Sequence, residues 1–276
     1  MELFRTSREL LKGGPYPLGH KGYDKLFLLA HLVRTESTHY YFIVLPITPT
    51  VRLDERLVLD VPTVSSVAEN RFYSLFSSNV LLRIEGYGYP VLKRDSGAPV
   101  YPEHYTCSAG RCEQSPLNTA LAELNQEIAV IVSNQDTGEI RLLGYGTQEA
   151  AQAGKAHKEK ALGKFLPELL VAPLTWENGP DCYELWLGSC DQCVSTNEIL
   201  VERVEKSFAT VIYDKETNAY EICFQAAVSL PEGWQVDQVM DGENFGREAG
   251  FITELSSLKG KPCVPALNGL IEREKF

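Results

Sequence analysis

The stretch YTCSAGRCEQSPLNTALAELNQEIAV, from Tyr105 to Val130, decides how this chain folds. It places a glycine loop, flanked by Cys107 and Cys112, directly before a segment of helical periodicity. Ser115 and Pro116 suit an N-cap and a first helical residue. Leu117, Leu121, Leu124 and Ile128 then recur at i, i+4, i+7 and i+11, which predicts one buried stripe. At about 100° per residue, Glu123 and Glu127 fall beside each other on a separate face. Glutamates four residues apart are common on solvated helices, where their repulsion costs about 0.3 kcal/mol. Two carboxylates on one ridge can also share a hard cation.

On the C-terminal side, IAVIVSN, the turn QDTG and EIRLLGYG read as a hairpin, and SFATVIYDKETNAYEICFQAAVSL repeats the arrangement around DKETN. Between the hairpins, TQEAAQAGKAHKEKALGKFLPELL has helical composition but carries Gly154 and Gly163, and Pro167 breaks it. The loop MDGENFGREAG leads towards CVPALNGLIEREKF, whose apolar spacing predicts a terminal helix. On the N-terminal side, NVLLRIEGYGYPVLKRD reads as two short strands around a glycine bend. A helix over residues 2–12 and strands in HYYFIVLPITP and ERLVLDVP make up a small N-terminal region. Strands and helices mix without regular βαβ alternation, which predicts an α+β fold.

Composition narrows the function classes. At 276 residues, 44% hydrophobic and 23% charged, the chain has the make-up of a globular protein. Its longest apolar runs, LFLLAHLV and YYFIVLPI, fall short of the roughly 18 residues a membrane helix needs, and no leader pattern opens the chain. These features predict a cytoplasmic protein with no membrane partner. A net charge of −11 argues against nucleic-acid binding, which depends on clustered Lys and Arg. A phosphorylated small molecule is compatible with that charge if divalent cations sit between carboxylates and phosphates.

The seven cysteines include two pairs, Cys107 with Cys112 and Cys190 with Cys193, each spaced like half of a zinc site. The pairs are far apart in sequence, so reduced thiols are the default expectation. There is no Walker loop, no GxSxG elbow and no HExxH helix. The five histidines show no short metal-ligand spacing.

Residues 91–130, VLKRDSGAPVYPEHYTCSAGRCEQSPLNTALAELNQEIAV, resemble the core of the Nudix hydrolases. Gly110, Arg111 and Glu113 match the family's loop, and the eight residues Ala122 to Ala129 take the place of its helix signature. The later hairpin and DGENFGREAGFITELSSL resemble the family's later strand pair and its acidic loop. Ala122, Gln126 and Ala129 stand where the signature has Arg, Glu and Gly. The resemblance covers residues 79–276, with an insertion over about 147–205 and an N-terminal extension over 1–78. It implies a Nudix-like α/β/α sandwich with a mixed sheet. It further implies Mg²⁺ or Mn²⁺ held by Glu123 and Glu127, with Glu113 and Glu243 as auxiliary ligands or base. Arg111 and Gly110 would serve the loop or the substrate phosphate. The implied activity is metal-dependent hydrolysis of a nucleoside diphosphate derivative. The alternative is a catalytically inactive module of the same fold that binds a nucleotide or a protein partner.

Overall fold

The computed structural model describes residues 27–34, 39–47, 74–112, 116–177, 182–187, 201–204, 209–214, 216, 219–244 and 247–273. The expected helix over 2–12, the strand over 55–62, and Glu113, Ser115, Cys190 and Cys193 lie outside the described residues. In chain order the strands are β1 Phe27–Arg34, β2 His39–Ile47, β3 Ser74–Ile84, β4 Tyr89–Lys93, β5 Tyr105–Thr106, β6 Ser108–Arg111, β7 Ile128–Asn134 and β8 Ile140–Tyr145. They continue as β9 Leu169–Ala172, β10 Thr175–Trp176, β11 Cys182–Leu187, β12 Val201–Val204, β13 Ala209–Asp214, β14 Ala219–Val228, β15 Trp234–Asp241 and β16 Glu248–Ile252. The α-helices are α1 Pro116–Glu127, α2 Gln148–Leu162 and α3 Pro265–Arg273. This is α+β content, with three sheets among the described residues. No helix among them is long and apolar enough to cross a membrane.

The chain divides into two compact units. The first comprises residues 1–77, 111–115 and 179–222. In it β1 and β2 form an antiparallel pair, Phe27 opposite Ile47 through to Arg34 opposite Tyr40. β11 runs parallel to β2, and β12 returns antiparallel to β11.

The second unit comprises residues 78–110, 116–178 and 223–276. The hairpin expected after the helix forms as β7 and β8. Gly138 adopts φ +71° in its turn, and the Asn134 side chain accepts hydrogen bonds from the Asp136 and Thr137 amides. That left-handed position suits glycine because a Cβ would crowd the backbone there. β15 pairs antiparallel with the other side of β7, from Trp234 opposite Asn134 to Asp241 opposite Ile128. β9 lies parallel to β8, a pairing that requires a crossover, and α2 supplies it. One βαβ unit is thus embedded in a mixed sheet. A separate small sheet joins β16, β4 and β5.

α2 begins at Thr147, whose hydroxyl accepts from the Ala150 amide, and closes at Gly163 in the left-handed conformation. It runs straight through Gly154. A methyl group there would lie 2.3 Å from the Asn125 carbonyl oxygen and 2.5 Å from its Cβ, so the missing side chain lets α2 close on α1. Its end is set by Gly163, before Pro167 is reached.

α1 forms over Pro116–Glu127, where its periodicity predicts, but its buried face differs from the expected leucine stripe. Pro116, Thr119, Ala120, Leu124, Asn125 and Glu127 are buried, whereas Leu117 and Leu121 are half-buried. Ile128 starts β7 instead of completing the stripe. Asn125 is held inside by two reciprocal hydrogen bonds. Its Nδ2 donates to the Tyr145 carbonyl, and its Oδ1 accepts from the Tyr145 amide, both at 3.0 Å. A buried amide with both faces satisfied carries little of the desolvation penalty that an unpaired one would.

Candidate functional site

Three separated segments of the second unit meet at the end of α1. The first is the β6 backbone. The Ala109 amide donates to Glu127 Oε2 at 2.9 Å. A methyl at Gly110 would lie 2.0 Å from Glu123 Oε1, so this glycine is what allows the Glu123 carboxylate to approach the strand. Both glutamates therefore turn towards β6. Glu127 is only 8% exposed and Glu123 is half-buried, in contrast to the solvated ridge that α-helical spacing suggested.

The second segment is the turn after β15. The Gly242 amide donates to the Glu127 carbonyl oxygen at 2.7 Å, which fastens the C-terminal end of α1 to this turn. Asp241 is buried at the strand end, and its Oδ1 accepts from the amides of Glu243 and Asn244 at 2.7 and 2.8 Å. This aspartate caps its own turn, a common role for a short acceptor side chain.

The third segment is Arg247, whose side chain is 13% exposed. Its Nη1 stands 3.6 Å from Glu127 Oε1, and its Nε stands 3.2 Å from Asp241 Oδ2. One guanidinium thus bridges two buried carboxylates. Asp241 Oδ2 is buried and receives no hydrogen bond, so its contact with Arg247 is an ion pair outside hydrogen-bonding geometry.

Burial pushes the Glu127 carboxyl up to about 7. Arg247 and the Ala109 amide oppose that rise, while Glu243 and Asp241 add to it. Burial likewise raises Asp241, against the Glu243 amide, Arg247 and the Asn244 amide. Desolvation of the charged form therefore outweighs the attraction of the guanidinium at both acids.

α2 contributes Lys158, 1% exposed, beside the same turn. A methyl at Gly242 would meet the Gln126 carbonyl oxygen at 2.1 Å and the Lys158 Cγ and Cε at 3.0 Å, which places the lysine stem against the turn backbone. The ammonium makes no hydrogen bond or ion pair with the described residues, and burial lowers it to about 7.

Of the residues expected at the site, Gly110, Glu123 and Glu127 come together. Glu243 turns to the surface of α2, where its Oε1 meets His157 Nε2 at 2.7 Å. Arg111 ends β6, while Glu113 lies outside the described residues. Cys107 and Cys112 are buried thiols. The sequence reading missed Asp241, Arg247 and Lys158. Their signals were present: Arg247 is the one base in the acidic loop DGENFGRE, and Lys158 occupies an otherwise small and apolar stripe with Ala151, Gly154 and Leu162.

The arrangement does not fit Mg²⁺ or Mn²⁺ as the resemblance would have it. A divalent ion takes several oxygen ligands, and a carboxylate ligand needs lone pairs turned to the ion. Glu127 gives one oxygen to the Ala109 amide and turns the other to a cation the chain itself provides. Among the described residues no three His, Cys, Asp or Glu side chains form a metal-holding group. The chemistry on display is charge neutralisation by an internal guanidinium. No family model matches this chain, and no curated protein matches it either.

Proposed function

We propose that this chain is a Nudix-like module that binds a nucleotide-type phosphorylated molecule without hydrolysing it. The observation that carries the reading is the inward commitment of Glu127 to the Ala109 amide and to Arg247. The Nudix-like part of the proposal is supported by convergence. The glycine loop at 109–110, the helix carboxylates and the acidic loop at 241–247 carry the resemblance, and they lie together in one unit. Hydrolysis of a diphosphate needs metal ions to neutralise the substrate and to lower the pKa of the attacking water. Here the central carboxylate already serves the fold.

The hydrolase reading has one specific observation in its favour. A carboxyl near 7 is in the range where a general base works at neutral pH. A panel of nucleoside diphosphate derivatives, tested with Mg²⁺ and with Mn²⁺, separates the two. The module reading expects ligand-dependent thermal stabilisation and no turnover. Turnover that disappears in Glu127→Gln would establish the hydrolase instead.

A further inference from the structure

α2 buries a stripe of Ala151, Gly154, Lys158 and Leu162, so Lys158 holds a place that the pattern gives to small or apolar side chains. It is 1% exposed, and its ammonium makes no hydrogen bond or ion pair with the described residues. The acids of the neighbouring segments are committed elsewhere. Glu127 and Asp241 face Arg247, Glu243 takes His157, and Glu159 takes Lys155. Burial alone acts on the amine and brings it from its ordinary 10.5 down to about 7. A buried charge without a partner is out of keeping with a structural role, since an uncharged side chain of the same length would fill the stripe at less cost.

The lysine stem runs beneath the turn after β15. A methyl at Gly242 would lie 3.0 Å from both Lys158 Cγ and Cε, so only bare backbone covers the stem there. The fastenings of that turn are few. The Gly242 amide donates to the Glu127 carbonyl oxygen, Asp241 Oδ1 accepts from the Glu243 and Asn244 amides, and Asp241 Oδ2 faces Arg247. On the outside, at the surface, Glu243 Oε1 meets His157 Nε2 at 2.7 Å. His157 directly precedes Lys158 on α2, so the outer fastening lies beside the lysine that the turn covers.

We propose that Lys158 is a covalent attachment site for a small aldehyde, roofed by the 241–244 turn and latched by the His157–Glu243 pair. The site is independent of the nucleotide-binding reading. An uncharged electrophile suits it, because the Gln126 and Glu127 carbonyl oxygens and the acids of the turn would repel an anion. A desolvated lysine offers a neutral amine, and a neutral amine is the nucleophile of imine formation. The Nζ lone pair bonds to the aldehyde carbon, and the π pair of the carbonyl moves to oxygen. That oxygen takes up the protons released by nitrogen and leaves as water, and the C=N bond forms. Nothing is oxidised or reduced. Lys158, His157 and the turn all belong to the second unit.

The test treats the full chain with formaldehyde, traps the imine with cyanoborohydride, and reads each lysine by peptide mass spectrometry. Lys160, exposed on the same helix, is the internal reference. At pH 7 about half of Lys158 is neutral, against about one in a few thousand for an ordinary lysine. The roof takes back part of that advantage, so Lys158 should be labelled about tenfold faster than Lys160 at pH 7. The lead should be gone at pH 10.5, where the reference amine is neutral to a similar degree. His157→Ala frees the outer end of the turn, and it should speed the labelling of Lys158 about threefold while leaving Lys160 unchanged. The proposal is overturned if Lys158 is labelled no faster than Lys160 at pH 7, which would mean that the roof excludes the aldehyde or that opening it floods the amine with water. It is equally overturned if the lead persists undiminished at pH 10.5, or if His157→Ala leaves the labelling of Lys158 as it was.

Discussion

α1 and α2 lie against each other in one unit, and each buries a single ionisable group, yet the two groups live under different terms. Glu127 on α1 has a backbone donor and an arginine. Lys158 on α2 has neither a hydrogen bond nor an ion pair among the described residues, although it is the more deeply buried of the two. Burial drives both towards about 7, the acid upward and the base downward. The difference teaches what a buried charge does in this fold. A partnered one ties three segments to a common point, whereas an unpartnered one weakens the fold by the cost of its own desolvation.

The most damaging way to break the comparison is to separate the helices. Gly154→Val would drive a branched side chain into the Asn125 backbone, and overpacking of this kind costs about 3 kcal/mol. Chemical denaturation should show the loss as a lower midpoint with little change in slope, and an unchanged midpoint would mean that the close approach is not needed.

Replacing the unpartnered base should act in the opposite direction. Lys158→Met retains the stem and removes the ammonium, for an expected gain of about 2 kcal/mol near neutral pH. The lysine's folded value of about 7 lies below its ordinary 10.5. The folded chain is therefore free of its desolvation cost above 10.5, and bears that cost in full once pH has fallen through 7. The advantage of the methionine variant should be largest at or below pH 7 and should shrink towards pH 10.5. An advantage that did not vary with pH would show that the amine is not desolvated.

The partnered acid should give the smallest effect, and one with a different pH signature. The Glu127 value of about 7 lies above its ordinary 4.5, so protonation favours the folded chain below 4.5 and that contribution is lost as pH rises through 7. Stability of Glu127→Gln relative to the parent should therefore climb between pH 4.5 and 7 and then level off. Thermal melts over that window would show it, and a relative stability that fell instead would mean that Arg247 outweighs desolvation.

Much of the local structure could be read from the sequence because its causes are local. The Asn134 to Gly138 turn and the Pro116 start of α1 announce themselves within a few residues, and so does the apolar spacing that becomes α3. The site was less legible because its causes are remote. Periodicity places Glu127 and Glu123 beside each other on an open face, whereas the structure turns both towards β6. What holds Glu127 inward are the Ala109 amide, eighteen residues away in the chain, and Arg247, much further still, while the bare Gly110 makes room for Glu123. Gly154 was misleading for a related reason. A glycine within a helical run reads as weakness until the neighbour it makes room for is known.

Asn125 also has a consequence for how the sheet ends. By offering one donor and one acceptor to the same residue, Tyr145, its amide imitates the edge of an adjoining strand. A helix side chain thus acts as a stopper where β8 runs out. Even the substitution closest in shape breaks this arrangement. Aspartate would still accept from the Tyr145 amide, but its second oxygen would face the Tyr145 carbonyl with no proton between them.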